Sequence, residues 1–476
     1  MLTRIELDGF KSFEDFTLDL PPHAVVLGSN AAGKSNLFDA IRFLSELARG
    51  SVVEAAERMR GLPHELFSFD AMGVPRRDMS LAVEVLLPRR VSDPWGKELE
   101  IRYPRVRYEV KLERRGVGVE KIVVVEEAAT AIYASKDQWR PFERPPSPAF
   151  RQAFLQSRAR AGAGESSADG RSSRTRRDAP FLATIDRDGE RRFEIHHDGK
   201  AGRTRELPAM GSDATLLSTM GTADEFAHLY ALREELRSWR FFQIDPSAIR
   251  DTARASWSTA LEPDGRNLGR VLHRLQQETS TPENPSGVLT DIAADLARLV
   301  GGVRGVHVDP DEQTRDFRIR LQMSDGRPYN AQLASDGTLR LLALLTVMSD
   351  RASAGLLCME ELENGVHPAR LRMLVQQLRE LCPDPQAREV DPEQPLHQVL
   401  TNSHSPVILS SIRERRGEAF FADVVTRSSS HGSRAVRRTR IRPVIADNRG
   451  EIFPGDRPFV GKAEVERYLG SIMGGA

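Results

Sequence analysis

The sequence predicts an α/β fold organised around a phosphate-binding loop, and three observations support this prediction. Residues 25–36 place the pattern GxxxxGKS directly after an apolar strand and directly before a helical segment. Apolar strands and helices alternate in the last third of the chain. Segments with partial period-two alternation near the N-terminus predict an additional antiparallel β region. With 476 residues, of which 39% are apolar, the chain can bury a core of this size.

The loop at residues 28–36 has the residue types that hold a nucleoside triphosphate. Glycines allow the backbone to turn its N–H groups onto phosphate oxygens, and the following helix adds its positive N-terminal end. The lysine is expected to reach the β- and γ-phosphates, and Ser35 is expected to bind Mg²⁺. The predicted nucleotide-binding residues of this loop are Gly28, Asn30, Gly33, Lys34, Ser35 and Asn36.

Composition limits the other possibilities. The formal net charge is zero, so any nucleic-acid or membrane contact would depend on local patches. Cys358 and Cys382 are the only cysteines, which supports neither a disulfide framework nor a zinc site. The sequence shows no charged and apolar leader and no apolar run of membrane-spanning length, so we expect a cytoplasmic protein with no membrane partner.

The N-terminal half of the predicted nucleotide-binding fold spans residues 1–130. It combines the loop and its helix at 37–48 with antiparallel strands, predicted near residues 5–7, 10–20, 80–87, 99–112 and 121–126. Residues 131–250 are predicted to be an insertion, which contains a segment at 158–179 too poor in apolar residues to order. A β-hairpin follows, with Asp188-Gly189 as its turn, and then a helical stretch at 214–242.

Residues 251–300 are predicted to be a helical segment, and residues 301–426 the C-terminal half of the head. Residues 427–476 are predicted to be a C-terminal tail region. Strands are expected at 305–308, 317–323, 329–333, 355–359, 397–401 and 420–425, and helices at 267–277, 288–299, 338–348 and 369–381.

Two acidic residues follow the apolar strand that ends at residue 359. Opposite a phosphate-binding loop, the first carboxylate can hold Mg²⁺ and the second can orient or deprotonate the attacking water. The sequence therefore predicts Glu360 as a metal ligand and Glu361 as a catalytic residue. Taken alone, two acids at a strand end are more often only a solvated terminus.

Two further motifs lie at element ends. Ser335 and Gly337 begin an apolar helix, where a hydroxyl and free N–H groups form a second anion-binding site, although a simple helix cap would look the same. His404 follows the strand at 397–401, where it could sense a γ-phosphate, although a lone histidine is usually structural.

The order of these four motifs resembles that of an ABC-type ATPase head, and within that class the chain resembles the RecF/SMC-like ATPases. The phrase at residues 9–13, Gly-Phe-Lys-Ser-Phe, is similar to the N-terminal signature of that group, and residues 360–368 are similar to its extended Walker B and D-loop. Residues 239–246 and 264–275 resemble segments of a bacterial branch of predicted AAA-family ATPases. The likeness extends from residue 1 to about residue 409.

The resemblance implies ATP and Mg²⁺ as ligands and a homodimer or higher oligomer in which ATP lies between two heads. Ser335 and Gly337 would then contact the γ-phosphate bound by a second subunit, and His404 would act as the switch. Two residues depart from the family pattern. ABC-type heads carry a glutamine after the loop helix, whereas this chain has none before Gln138, so His64 or Ser68 would have to substitute. Leu362 replaces a proline that commonly follows the catalytic glutamate.

Several functions are compatible with such a head. The first is a nucleotide-driven, DNA-associated switch in repair or anti-phage defence, with an effector such as a nuclease as a possible partner. Candidate phosphate contacts for that role are Arg151, Arg158, Arg160, Arg171, Arg174, Arg176, Arg177, Arg434, Arg437, Arg438, Arg440 and Arg442. The alternative is regulation of a protein effector without DNA binding, in which the arginines are ordinary surface. A nuclease fused to the ATPase is disfavoured, because the last 70 or so residues contain no acidic cluster for paired metals. A transporter subunit is disfavoured by the large insertions.

Overall fold

The computed structural model describes residues 1–116, 121–141, 144–156, 180–198, 204–209, 212–221, 226–311, 313–350, 355–411, 417–427, 436–445, 460–461 and 465. The strands of these residues are β1 Leu2–Asp8, β2 Phe16–Asp19, β3 His23–Gly28, β4 Asp78–Leu86, β5 Arg90–Ser92, β6 Glu98–Glu100, β7 Arg105–Arg115, β8 Lys121–Ala131, β9 Leu182–Arg187, β10 Glu190–His196, β11 Thr204–Pro208, β12 Arg240–Phe242, β13 Val303–Pro310, β14 Phe317–Met323, β15 Pro328–Asn330, β16 Leu356–Met359, β17 Gln398–Ser403, β18 Ala419–Arg427, β19 Val436–Ile445 and β20 Val460–Gly461. The helices are α1 Lys34–Leu47, α2 Val52–Glu57, α3 Pro148–Phe150, α4 Ala227–Ser238, α5 Pro246–Arg250, α6 Leu268–Thr279, α7 Leu289–Leu299, α8 Asp336–Ser349, α9 Pro368–Leu381 and α10 Pro406–Ser411.

A seven-stranded sheet in the order β12-β16-β17-β3-β18-β19-β20 carries the predicted motifs. Its strands run parallel from β12 to β18, with Thr401 opposite both Val25 and Met359. Because the carboxyl ends of parallel strands meet at one edge, the loops after β3, β16 and β17 emerge side by side. The order of the strands therefore brings the phosphate-binding loop, the two glutamates and the histidine to the same edge.

The second large sheet has eight strands in the order β11-β10-β9-β8-β7-β4-β1-β2, and all of its pairings are antiparallel. The predicted hairpin between β9 and β10 is confirmed, with positive φ at Asp188 (57°) and Gly189 (80°) in its turn. Positive φ at both central residues is what a type I′ turn requires. The chain thus has the predicted mixed α/β architecture, a mainly parallel sheet beside an antiparallel one.

Strand β3 lies between two hydrophobic cores. Ala24 and Val26 are buried in the core shared with α1 and the antiparallel sheet, whereas Val25 and Leu27 are buried in the core shared with α6, α7, α8 and α9. A strand covered on both faces needs an uninterrupted apolar run, which explains the sequence just before the loop. Two cores therefore fix the strand that delivers the phosphate-binding loop.

Several segments differ from the sequence-based expectation. Of the helical stretch expected at 214–242, the described α-helix covers Ala227–Ser238, and the end of the strand expected at 329–333 forms a short 3₁₀ helix at Ala331–Leu333. Residues 240–242, predicted as part of a helix, form β12, which pairs with β16 through Arg240 opposite Leu357. Residues 436–445, predicted as part of a tail, form β19, which pairs antiparallel with β18. The sheet therefore continues past residue 426. The segment predicted to be mobile, residues 158–179, lies outside the described residues. Among the helices that the structure describes, none is long and apolar enough to cross a membrane.

Candidate nucleotide-binding site

The phosphate-binding loop begins where β3 ends, and its glycines are required by backbone angles and by close neighbours. Gly28 has φ 155° and Gly33 has φ 88°, both in the region that favours glycine. A β carbon on Gly28 would lie 2.5 Å from the Ala422 carbonyl oxygen, and one on Gly33 would lie 1.9 Å from Thr439 Oγ1. The loop conformation therefore depends on β18 and β19 as well as on its own sequence.

Lys34, the first residue of α1, turns back over the loop. Its Nζ donates hydrogen bonds of 2.8 Å to the carbonyl oxygens of Gly28 and Ser29. Burial lowers the pKa of Lys34, while the nearby carboxylates of Glu363 and Glu361 act in the opposite direction. The ammonium group is therefore held at the centre of the loop, where it can attract an anion.

Ser35 and Glu360 meet on the opposite side of α1's first turn. Ser35 Oγ donates to Glu360 Oε2 at 3.5 Å, so a hydroxyl and a carboxylate oxygen converge at one point. These are ligand types that Mg²⁺ uses in nucleotide sites, where it also takes water and phosphate oxygens. No group of three or more potential His, Cys, Asp or Glu ligands occurs in the described part of the chain. The two residues fit a magnesium ion that shares its coordination with a nucleotide.

Arg60 also contacts Glu360, which the sequence did not predict. Its Nη2 lies 3.2 Å from Glu360 Oε1 and 3.2 Å from the buried carboxylate of Asp39, which in turn pairs with Lys11. His64 and Ser68 were the candidates to replace the missing glutamine. Neither is hydrogen-bonded to Glu360, so Arg60 is the residue of this segment that contacts the Glu360 carboxylate.

Glu361 has an unusual backbone conformation, with φ at 52°. Its N–H donates to Asn402 Oδ1 at 2.8 Å, and its Oε2 accepts a hydrogen bond from Asn364 Nδ2. Positive φ in a residue other than glycine costs free energy and persists where surrounding contacts impose it. Here the contact with Asn402 links the end of β16 to the end of β17 and turns Glu361 toward the loop.

A cavity of about 340 Å³ joins the predicted loop to Glu361 and His404. It is lined by residues 30–36, Glu361 and residues 402–404. The structure thus brings together three of the four predicted motifs within a single chain. His404 is held by Glu363, whose Oε1 accepts from the His404 N–H at 2.9 Å and lies 3.0 Å from the ring Nδ1. The sequence analysis did not single out Glu363, although it lies within the segment noted for its family resemblance.

The fourth motif lies elsewhere. Ser335 is the N-cap of α8, and its Oγ accepts a hydrogen bond from the Thr338 N–H at 3.3 Å. Gly337 packs against the carbonyl of Gly365, so that a β carbon would lie 1.9 Å from that oxygen. Neither residue lines the cavity of its own chain. The structure therefore does not bring Ser335 and Gly337 to the cavity that the other three motifs share.

A larger cavity of about 510 Å³ adjoins the first one and shares Asn36 with it. Lys11, Ser68, Phe69 and Arg437 are among its lining residues. A chain of hydrogen bonds borders it, because Asn36 Nδ2 donates to Ser12 Oγ at 2.8 Å and Ser12 Oγ lies 2.7 Å from Thr439 Oγ1. No sequence signal pointed to Thr439, which is distant in sequence and lies in an arginine-rich stretch.

The C-terminal arginines are engaged with acidic residues. Arg440 Nη2 lies 2.6 Å and Arg442 Nη2 3.3 Å from Asp423 Oδ2, and Arg438 forms an ion pair with Glu14. Arg151 borders a separate cavity beside Trp139. The remaining predicted phosphate contacts fall outside the described residues: Arg158, Arg160, Arg171, Arg174, Arg176, Arg177 and Arg434.

Comparisons with known proteins match most of the chain to one family. A family model described as "AAA domain, putative AbiEii toxin, Type IV TA system" matches residues 24–410. The DNA replication and repair protein RecF of Lactobacillus delbrueckii subsp. bulgaricus is 29% identical over 100 residues, which cover 21% of this chain and 26% of RecF. The alignment thus spans about a quarter of that relative's length.

Solved structures of Smc head domains are also similar to this chain. The head domain with a coiled coil and joint from Pyrococcus yayanosii is 10% identical with a TM-score of 0.44, and the match covers 99% of each chain. A head domain bound to the C-terminal domain of ScpA from Pyrococcus furiosus is 12% identical with a TM-score of 0.43, covering 93% of this chain and 96% of that one.

Proposed function

We propose that this chain, which belongs to the AAA domain family described as putative AbiEii toxin, Type IV TA system, binds and hydrolyses ATP with Mg²⁺. The observation that carries the proposal is the convergence of residues 30–36, Glu361 and His404 on one cavity of about 340 Å³. A buried cation, a hydroxyl–carboxylate pair and an exposed carboxylate at one strand edge together match the needs of phosphoryl transfer.

Each residue has a chemical task in this proposal. The N–H groups of the loop and the Lys34 ammonium bind the phosphates, for which Lys34 leaves the carbonyl oxygens of Gly28 and Ser29. Ser35 and Glu360 would hold Mg²⁺, which would neutralise phosphate charge when bound. Glu361 accepts a proton from the attacking water, and His404 contacts the terminal phosphate.

We further propose that two heads bind ATP between them in a head-to-tail dimer. Ser335 and Gly337 form an anion-binding helix start that does not line the cavity of their own chain. A second copy placed with α8 over this cavity would complete the site. ATP would then act as the switch that brings two heads together, and hydrolysis would release them.

Binding of a fluorescent ATP analogue tests the proposal directly. We expect saturable binding that strengthens with Mg²⁺ and is displaced by unlabelled ATP. We also expect phosphate release from ATP that requires both the protein and Mg²⁺. A purified, folded protein that binds no analogue with or without Mg²⁺ would refute the nucleotide site.

The process that the switch serves is proposed to be DNA repair or anti-phage defence, with an effector such as a nuclease as a possible partner. The partial likeness to RecF, a DNA replication and repair protein, supports contact with DNA. The words "putative AbiEii toxin, Type IV TA system" in the family description support a toxin-related role.

One observation favours the second candidate, in which the heads regulate a protein effector without touching DNA. Three of the C-terminal arginines offered as phosphate contacts already pair with Glu14 or Asp423. An arginine that satisfies an intramolecular carboxylate contributes less net charge to a DNA-binding surface. Affinity capture with Mg-ATP, analysed separately for bound DNA and bound protein, distinguishes the two candidates.

A further inference from the structure

Glu363 is a second carboxylate at the edge of the nucleotide cavity, and its contacts differ from those of Glu360 and Glu361. It lies in the loop between β16 and α9, and its side chain is only 11% exposed. One oxygen, Oε1, accepts from the backbone N–H of His404 at 2.9 Å and lies 3.0 Å from the ring Nδ1. A single oxygen therefore fixes both the backbone and the ring of His404.

The contact determines which ring nitrogen carries a proton. A carboxylate oxygen is only an acceptor, so at 3.0 Å it favours the form in which Nδ1 bears hydrogen. Nε2 is then an acceptor, which suits a water molecule or a protonated phosphate oxygen in the cavity that His404 lines. Without the carboxylate, the ring could rotate or adopt the other tautomer.

The surroundings of Glu363 argue against a purely structural role. Its second oxygen, Oε2, is buried and has no hydrogen-bond partner among the described residues. A buried carboxylate with only one oxygen hydrogen-bonded reduces the free energy of unfolding, and an apolar residue at the same position would avoid that loss. The carboxylates of Glu363 and Glu361 both act to raise the pKa of Lys34, against the effect of burial. The charge of Glu363 therefore acts on the phosphate-binding lysine as well as on His404.

We propose that Glu363 is the positioning residue of His404: it holds the imidazole with a proton on Nδ1 and directs Nε2, as a hydrogen-bond acceptor, into the nucleotide cavity, where the attacking water or a protonated phosphate oxygen can donate to it. This inference rests on the proposed ATP site, since His404 needs a phosphate to act on. Glu363 itself touches no reacting atom, and it acts through the ring that it holds.

The first test is the tautomer of His404 in the nucleotide-free protein, measured by ¹⁵N–¹H correlation of the imidazole rings. The chain has 11 histidines, so the His404 signal is assigned as the one lost in His404→Gln. We expect Nδ1–H in the wild type and in Glu363→Gln, whose amide oxygen can still accept, and loss of that preference in Glu363→Ala. Glu380→Ala, an exposed carboxylate on α9, is the matched control and should leave the ring unchanged.

The second test is a double-mutant cycle on ATP turnover. Glu363→Ala should lower kcat about tenfold, which is less than the roughly 100-fold or greater loss that follows removal of one preorganised donor from the reacting centre itself. In a His404→Ala background the same change should have no further effect. Melting curves establish that each variant is folded.

The outcomes separate this inference from the proposed function. A wild-type ring protonated on Nε2, or a tautomer that does not respond to Glu363→Ala, overturns the positioning role. Effects of the two alanine variants that multiply also overturn it, because Glu363 would then act independently of His404. If Glu363→Ala does not fold, the tautomer of His404 in the wild type still tests whether Glu363 positions the ring. A wild type that binds no ATP analogue refutes the nucleotide site instead.

Discussion

Gly337 at the start of α8 lies directly against the backbone of Gly365, between β16 and α9. A β carbon added at residue 337 would approach the Gly365 carbonyl oxygen to 1.9 Å and its carbonyl carbon to 2.9 Å. Gly365 itself has φ 75°. The proposed anion-binding helix and the loop that carries Glu361 and Glu363 are therefore in backbone contact, and movement of one requires movement of the other.

Replacing Gly337 with alanine should destabilise the protein by about 1–3 kcal/mol, although alanine is the better helix former, because the clash is with backbone that cannot rotate away. Urea unfolding measures the change. Gly221→Ala is the control, since a β carbon there meets nothing within 4 Å. Equal stability of the two variants would show that α8 and the loop can separate at little cost.

Glu361→Gln should bind ATP but hydrolyse it about 100-fold or more slowly, since the amide keeps the shape yet cannot accept the proton of water. The trapped nucleotide should hold two heads together. Light scattering with Mg-ATP should therefore show a dimer or larger assembly that is absent without nucleotide. A monomer under both conditions would contradict the proposed head-to-tail arrangement.

Lys34→Ala should abolish nucleotide binding without unfolding the chain. Burial lowers the pKa of Lys34, which means that the charged form is less favourable in the folded protein than in the unfolded chain. Removing the ammonium should therefore leave the melting temperature unchanged or slightly higher, while fluorescent ATP binding is lost. Retained binding would show that another cation holds the phosphates.

Glu127 predicts a pH dependence of stability. Burial raises the pKa of this carboxyl group from its ordinary value of 4.5 to about 7, against hydrogen bonds from Leu217 N–H, Leu216 N–H and the Tyr108 hydroxyl. The folded protein therefore binds more protons than the unfolded chain between these pH values, so the free energy of unfolding falls as pH rises through that window. The loss attributable to this group is up to about 3 kcal/mol.

Unfolding titrations at pH 5 and pH 8 measure this dependence, and Glu127→Gln isolates it. The variant is expected to be less stable at pH 5, because its amide nitrogen would face donor groups, but it should lack this part of the slope. An identical pH slope in wild type and variant would assign the dependence to other groups.

The arginines of β19 provide the test of DNA contact. We expect the combined replacement of Arg437, Arg438 and Arg440 by alanine to reduce stability by about 1 kcal/mol, because the ion pairs with Glu14 and Asp423 are partly exposed. We also expect duplex DNA affinity to change little. A weaker affinity whose salt dependence flattens by about one unit per lost contact would instead establish phosphate binding by these residues.

The local part of the site could be predicted from sequence, because its determinants are local. The apolar run of β3, the glycines of the loop and the caps of α1 and α8 each lie within a dozen residues, so that one pattern specifies both conformation and neighbours. The meeting of Glu361 and His404 was also predictable, because parallel strands place their carboxyl ends at one edge.

Contacts that depend on distant segments could not be predicted in this way. Residues 240–242 continue the apolar pattern of α4, and only pairing with β16 makes them a strand. Arg60 meets Glu360 across 300 positions of sequence. The arginines of β19 suggested an exposed basic segment, whereas Asp423 on the neighbouring strand provides their counter-charge. Tertiary partners override local preference in each case.

Thr439 has a consequence for the design of shortened proteins. Its side chain fills the space beside Gly33 and is linked through Ser12 to Asn36, yet it lies 29 residues past the end of the family match at residue 410. A fragment cut at the family boundary would retain every predicted phosphate-binding residue and lose the side chain that packs beside Gly33. Boundaries for crystallisation or for grafting this head onto another protein should therefore extend through Ile445, the last residue of the strand that carries Thr439.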